Sequence, residues 1–144
     1  MRLLVRAGLA ALAAFNAWWG VWAVAAPKKF FDTFPGWGHH WTGAYPPYNQ
    51  HLVSDLGATF VTLAVLLGVA AWLDDRRVTG VVLAGVLVFN SLHLAFHAAH
   101  HGTLMGADLG LSLASLALGV VGPVVLLALD ARRRRTRYPP GPPS

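Results

Sequence analysis

Long apolar stretches dominate the chain and alternate with short polar connections. Each stretch runs for about 20 residues or more, so a helix with a rise of about 1.5 Å per residue would cross a hydrocarbon core of about 30 Å. Helices are favoured because a backbone exposed to lipid must satisfy its own hydrogen bonds. The pattern predicts an all-α, polytopic four-helix antiparallel bundle with spans at residues 3–26, 51–73, 78–99 and 109–129.

The domain organisation follows from the same pattern. Residues 1–137 are predicted to form a single transmembrane domain, because the connections after the second and third spans are too short to hold another one. Residues 138–144 are mostly proline, and we expect a disordered tail there.

Composition agrees with a membrane protein. Of the 144 residues, 56% are hydrophobic and 12% are charged, and the mean hydropathy is +0.52. A soluble domain carries about 25% charged residues. The chain has no cysteine, which excludes a disulfide-stabilised module and any thiol chemistry.

Basic residues are concentrated on one side of the predicted bundle. Four arginines flank the first three spans there and five follow the fourth, against Lys28 and Lys29 on the other side. Because cytoplasmic segments are enriched in Lys and Arg, both termini are predicted to be cytoplasmic. The net charge of +5 then reflects topology and requires no nucleic acid. The C-terminal arginines are expected to contact anionic headgroups of the bilayer: Arg132, Arg133, Arg134, Arg135 and Arg137.

The first outer connection is long and rich in aromatic residues, from Phe30 to Tyr48. Aromatic rings prefer the headgroup region, so the favoured interpretation is an interfacial belt. An ordered lid over the bundle is the alternative. In the fourth span, small residues recur at helical spacing and predict close packing against a neighbouring helix, within one chain or in a homo-oligomer: Ser112, Ser115, Gly119 and Gly122.

Polar residues inside the spans are the candidates for function, since an ionisable side chain within a membrane is costly. His51 and Asp55 share one face of the second span, and His93 and His97 share one face of the third. Counting residues from the inner ends places Asp55 and His93 a short distance below the outer boundary, where antiparallel neighbours would meet. Asn16 and Asn90 lie within reach by the same reasoning.

These residues suggest three kinds of site. Neutral imidazoles and one carboxylate suit a transition metal such as Zn, Fe or Cu, bound by His51, Asp55, His93 and His97. The same residues could instead form a structural polar cluster, or handle protons or a substrate. Haem, held by imidazoles from two helices, is a less favoured cofactor. Supporting or access roles are expected for Asn16, Asn90, His100, His101, His39 and His40.

Two sequence segments resemble known membrane proteins. Residues 47–57 read Pro-Tyr-Asn-Gln-His-Leu-Val-Ser-Asp-Leu-Gly, and residues 93–97 read His-Leu-Ala-Phe-His. They resemble a group of small, uncharacterised bacterial four-helix membrane proteins that carry a similar Pro-Tyr-Asn-x-His-Leu-x-x-Asp-x-Gly segment and a His-x-x-x-His. The four-helix plan is also loosely similar to DoxX-like proteins. The resemblance implies a multi-pass protein of the bacterial plasma membrane, and no mechanism.

A weaker likeness concerns the histidines alone. The string His-x-x-x-His-x-x-His-His resembles two joined histidine boxes of membrane di-iron desaturases, although those enzymes keep their boxes on separate segments. The function expected from the sequence is transition-metal binding at an outward-facing His/Asp cluster. The alternative is an accessory or assembly subunit of a membrane complex whose polar cluster is structural. Whether the protein is an enzyme stays open.

Overall fold

The computed structural model describes residues 2–135, and nearly all of them are helical. The helices are α1 (Arg2–Ala25), the short α2 (Pro27–Thr33), α3 (Gln50–Leu73), α4 (Arg76–Ala99) and α5 (Gly106–Arg135). The prediction of an all-helical membrane fold is confirmed, since α1, α3, α4 and α5 are each long and apolar enough to cross a membrane.

Polar residues just outside the apolar stretches determine where the long helices begin and end. Asn49 caps α3 by accepting a hydrogen bond from the amide of Leu52 at 3.1 Å. Asp75 caps α4 by accepting from the amides of Arg77 and Val78. α5 continues past the predicted end at residue 129 and brings Asp130 within 3.1 Å of Arg76 Nε.

The predictions for the C-terminal segment are only partly covered. α5 includes the backbone from Arg132 to Arg135, and the side chain of Arg132 is exposed. Arg137 and the predicted tail at residues 138–144 lie outside the described residues. Contact of these arginines with headgroups stays a prediction.

The apolar core shared by all four long helices lies at one end of the bundle, here called the turn end because the α3–α4 turn is there. Its buried members come from each helix: Val5, Leu9, Leu67, Ala70, Leu83, Val86 and Leu126. At the surface of the same end, Arg2 pairs with Asp74, and Arg76 pairs with the buried Asp130. Two of the arginines that predict the topology therefore also join elements of the fold.

The other end of the bundle is covered by the connection between α1 and α3, which we call the cap (residues 27–48). It contains α2, a hairpin of β1 (Pro35–Gly36) and β2 (His39–His40), and a 3₁₀ helix at Thr42–Ala44. Phe30 is 1% exposed and packs edge-on against Trp22, while Phe34 packs edge-on against Trp19. The cap therefore has its own aromatic core on α1. Of the aromatic residues in the cap, Trp37 at the hairpin tip is the one that is exposed, at 87%.

On the α4–α5 side, polar contacts fasten the cap. The carbonyl of Ala44 accepts a hydrogen bond from the amide of Thr103 at 3.1 Å. Gly102 is required at this point, because it has a positive φ of 59° and a Cβ there would lie 2.2 Å from that carbonyl oxygen. The cap is thus ordered and joined both to α1 and to the α4–α5 loop. A position of its aromatic rings at the headgroups stays a prediction.

The small residues of α5 face helices of the same chain. Gly119 lies against Asn90 of α4, and Gly122 lies against Leu12 of α1. Ser112 is buried. Ser115 is exposed, so Gly119 and Gly122 pack within one chain while Ser115 does not. A role of the stripe in a homo-oligomer stays a prediction.

Candidate functional site

Two of the predicted site residues lie together beneath the cap. His93 and His97 are one helical turn apart on α4, both half-buried, with ring centres 4.6 Å apart. The ring of His93 is stacked on that of Phe89, which in turn contacts Phe60 of α3. Among the described residues His93 has no hydrogen-bond partner, so the lone pair of one ring nitrogen is available to an ion and the N–H of the other to an acceptor.

Tyr45 of the cap holds the second imidazole. Its hydroxyl lies 2.7 Å from His97 Nδ1, and the two rings meet edge to face. Burial raises the pKa of the Tyr45 phenol above its ordinary value of 10.0, so the phenol is protonated at neutral pH. The tautomer of His97 decides which group donates the hydrogen bond. When Nδ1–H donates to the phenol oxygen, Nε2 keeps its lone pair for a ligand.

The other predicted pair is turned away from this site. His51 Nδ1 lies 3.2 Å from Asp55 Oδ2, and the two side chains are 85% and 63% exposed. Asp55 follows the buried Val53 by two residues, which rotates it by about 200° around the helix. Equal depth in the membrane is therefore not sufficient to bring Asp55 to His93. The α3 face that packs in the bundle is opposite the face that carries His51 and Asp55.

The expected four-ligand metal site is not assembled in the described part of the chain. No group of three or more His, Cys, Asp or Glu side chains that could hold a metal ion occurs there. The prediction placed His51, Asp55, His93 and His97 in one cluster from their depth alone. The helical rotation instead divides them into two separate pairs.

The predicted supporting residues make contacts of other kinds. The Asn16 side chain donates to the carbonyl of Leu12 in its own helix at 2.8 Å. Asn90 donates to the carbonyl of Gly119 at 2.9 Å and so joins α4 to α5. His100 is exposed and stacks on Phe96, and His101 is also exposed. None of these hydrogen bonds is made to His93 or His97.

The two loop histidines make different contacts: His39 joins the cap to α5, and His40 bonds within the cap. His39 Nδ1 lies 2.5 Å from Asp108 Oδ1, and Trp41 Nε1 donates to the same oxygen at 3.2 Å. His40 Nδ1 lies 2.5 Å from the carbonyl oxygen of Asp32. Asp108 lies inside the first turn of α5 and binds the cap from there.

A shallow cavity of about 250 Å³ opens beside these contacts at the cap end. His40 and Asp108 supply its titratable groups, and the remaining walls come from the cap and from the α4–α5 loop: Gly43, Ala44, Thr103, Leu104 and Met105. The cavity is open to the surface, so small polar solutes have access to this part of the cap.

Sequence reasoning missed the roles of Tyr45 and Asp108. Tyr45 is separated from His97 by 52 residues, and Asp108 from His39 by 69. No local pattern distinguishes Tyr45 from the other aromatic residues of this connection. Only the closure of the cap brings each residue to its partner.

Comparison of the chain with family models, curated proteins and solved structures finds no match. The resemblance to small bacterial four-helix membrane proteins therefore stays a prediction.

Proposed function

We propose that the protein binds a transition-metal ion, of which Zn, Cu and Fe are the candidates, through His93 and His97 beneath the cap. The observation that carries this proposal is the adjacency of two half-buried imidazoles on one helix face, 4.6 Å apart between ring centres. Two imidazoles that share a tetrahedral ion through bonds of about 2.0–2.1 Å have ring centres roughly 5 Å apart. The observed separation of the ring centres is close to that value.

The surroundings of the two rings support this assignment. A ligating histidine usually has its other ring nitrogen held by a hydrogen bond, and Tyr45 provides that bond for His97. With two protein ligands, the remaining positions on the ion are open to water or to a small molecule. Because both imidazoles come from one turn of one helix, the site favours a bare ion over haem, whose axial ligands approach from opposite faces.

The proposed location follows from the predicted topology. If the arginine-rich turn end is cytoplasmic, the cap and the histidine pair face the exterior of a bacterial plasma membrane. The ion would then be taken from outside the cell. Binding should weaken in acid, since ligation requires neutral imidazoles.

The test is metal analysis of protein purified in detergent without a histidine tag. After dialysis against Zn²⁺ or Co²⁺, we expect close to one ion per chain in the unaltered protein. His93→Ala and His97→Ala should each lose it, whereas His100→Ala, which removes an exposed imidazole one turn away, should retain it. Two outcomes would refute the proposal. One is less than about a tenth of an ion per chain in the unaltered protein, and the other is an equal loss of metal in the His100→Ala control.

An accessory or assembly subunit with structural polar contacts is the second candidate. It is favoured by the pairing of most polar groups within the chain, including His39 with Asp108 and Asn90 with Gly119. Here His97 would contribute only its hydrogen bond to Tyr45 of the cap, worth roughly 0.6 kcal/mol, and His93 only ring contacts within α4. Absence of metal together with lowered thermal stability of His97→Ala would favour this function.

A further inference from the structure

Trp37 lies at the tip of the cap hairpin and makes no contact that explains its presence. Residues 35–36 pair with residues 39–40, so Trp37 and Gly38 form a two-residue turn. Trp37 is 87% exposed, and among residues 2–135 its indole has no ring contact and no hydrogen bond. The packing of the described chain therefore does not account for a tryptophan at this position.

The backbone of this turn is unfavourable for a bulky side chain. Trp37 has a φ of 53° and Gly38 has a φ of 84°. Positive φ at both positions of a two-residue hairpin turn is the pattern of type I′, which favours Asn-Gly, Asp-Gly or Gly-Gly. A tryptophan in the left-handed region costs conformational free energy, and such outliers point to a function. The indole is therefore expected to have a partner outside the chain.

The other aromatic residues of the cap are engaged within the protein. Phe30 is buried. The rest have ring contacts or hydrogen bonds to neighbouring side chains: Phe31, Phe34, Trp41, Tyr45 and Tyr48. Trp37 is thus the aromatic residue of the cap that offers nearly its whole side chain to an outside partner.

The height of the hairpin relative to the bilayer follows from α5. The candidate span Gly106–Arg132 has 27 residues, so it is about 40 Å long and matches a bilayer together with its headgroups. The first turn of α5, which contains Asp108, then lies in the headgroup layer. His39 Nδ1 lies 2.5 Å from Asp108 Oδ1, which holds the hairpin at that height.

The tip of the hairpin is close to this contact. Trp37 is two residues from His39, so their Cα atoms are within about 7 Å of each other. Leu111 is 51% exposed and lies one turn below Asp108 on the same side of α5. The hairpin is therefore adjacent to a surface of α5 that faces lipid.

We propose that the hairpin is a membrane anchor whose Trp37 indole inserts into the headgroup region of the bilayer beside α5. This layer suits an indole, because the ring is apolar and its N–H is a hydrogen-bond donor. The anchor would hold the α5 side of the cap against the membrane surface. The inference uses no residue of the His93–His97 site, and it holds for either orientation of the bundle.

A fluorophore at residue 37 tests the position of the tip, since the chain has no cysteine of its own. Trp37→Cys is labelled with bimane and reconstituted into phosphatidylcholine vesicles. We expect several-fold stronger quenching by a lipid with a nitroxide near its headgroup than by iodide present on both sides. His101→Cys, at an exposed position in the α4–α5 loop, is the matched control, and its dye should be quenched more by iodide.

Amide hydrogen exchange in the same vesicles distinguishes an anchor from a turn residue. Trp37→Asn introduces a residue that type I′ turns favour, so a role in the turn alone predicts equal or slower exchange at residues 39–45. Loss of an anchor predicts the opposite, an exchange several-fold faster than in the unaltered protein. Trp37→Tyr keeps an interfacial ring with a polar group and should retain most of the protection.

Three results would overturn the proposal. Stronger quenching by iodide than by the lipid nitroxide at residue 37 would place the tip in water. Equal lipid quenching at residues 37 and 101 would show that the dye itself seeks the membrane. Exchange in Trp37→Asn that equals or falls below that of the unaltered protein would leave the indole without an anchoring role. Folding of each variant is checked by its migration as a monodisperse species in detergent.

Discussion

His93 and His97 lie one turn apart on α4 and are both half-buried, but their surroundings differ. His97 has a hydroxyl at 2.7 Å from Tyr45 of the cap. His93 has only ring contacts, with Phe89 and with His97 itself. His97 is therefore oriented by a hydrogen bond to the cap, and His93 by ring contacts within α4.

Removal of the Tyr45 hydroxyl should separate these roles. Tyr45→Phe keeps the ring contact with His97 but removes the hydrogen bond. Groups that orient a ligating histidine typically contribute about 10–100-fold in metal affinity, so a loss of this size is expected in Zn²⁺ titrations. Tyr48→Phe is the control, because Tyr48 packs against Phe31 in the cap. Equal affinity of both variants would contradict the role of Tyr45.

At the scale of elements, α1 and α3 are joined through glycine. Gly20 and Gly57 face each other so closely that a Cβ on Gly57 would lie 2.9 Å from the Cβ of Ala23. No side chain fits in this contact, which brings the two backbones together near the cap end. Gly68 on the same helix has open space around it.

Gly57→Ala is therefore expected to lower the free energy of unfolding by about 1–3 kcal/mol, the usual cost of overpacking. Gly68→Ala gains the same helix propensity, up to about 1 kcal/mol, without a clash, so its stability should be unchanged or higher. Thermal unfolding of the two variants in one detergent makes the comparison. A Gly57→Ala variant as stable as Gly68→Ala would show that the helices separate easily.

The cap is fastened to α5 by one carboxylate. Asp108→Asn keeps the size of the side chain but removes the negative charge that accepts the hydrogen bonds from Trp41 and His39. We expect amide hydrogen exchange at residues 39–45 to rise by about tenfold or more. Asp32→Asn is the control, since that carboxylate pairs with the exposed Lys28. Unchanged exchange in Asp108→Asn would mean that the aromatic core alone holds the cap.

For the whole molecule, charge and packing are distributed unevenly between the two ends. The turn end holds the apolar core of four helices and ion pairs such as Arg76 with Asp130. The cap end holds the histidines, and its apolar cluster is built from α1, α2 and α3. α4 and α5 meet the cap through polar contacts, which are the weaker attachment in water.

Reporter fusions test which end is cytoplasmic. A reporter after Ser144 should be active in the cytoplasm, because the arginines cluster at the turn end. A reporter inserted at Trp37 should be active outside, and the site tolerates insertion since Trp37 is 87% exposed at the hairpin tip. The reverse pattern would place the His93–His97 pair on the cytoplasmic side and exclude uptake of an ion from outside.

The sequence by itself determined the helical membrane fold. Apolar runs of span length allow little else, because lipid offers the backbone no hydrogen bonds. Local signals such as the caps at Asn49 and Asp75 also act over a few residues and can be read directly. The sequence also indicated His93 and His97 as neighbours, since spacing of four residues on a helix places them on one face.

Only the tertiary structure decided which polar residues meet. Asp55 and His93 share a depth, but depth leaves the rotation of each helix about its axis undetermined. That rotation is set by packing, above all by the Gly20–Gly57 contact, which turns the opposite face of α3 and its Asp55 outward. The closure of the cap likewise depends on contacts between residues far apart in sequence. For that reason the contacts of Tyr45 with His97 and of Asp108 with His39 form only when the chain has folded.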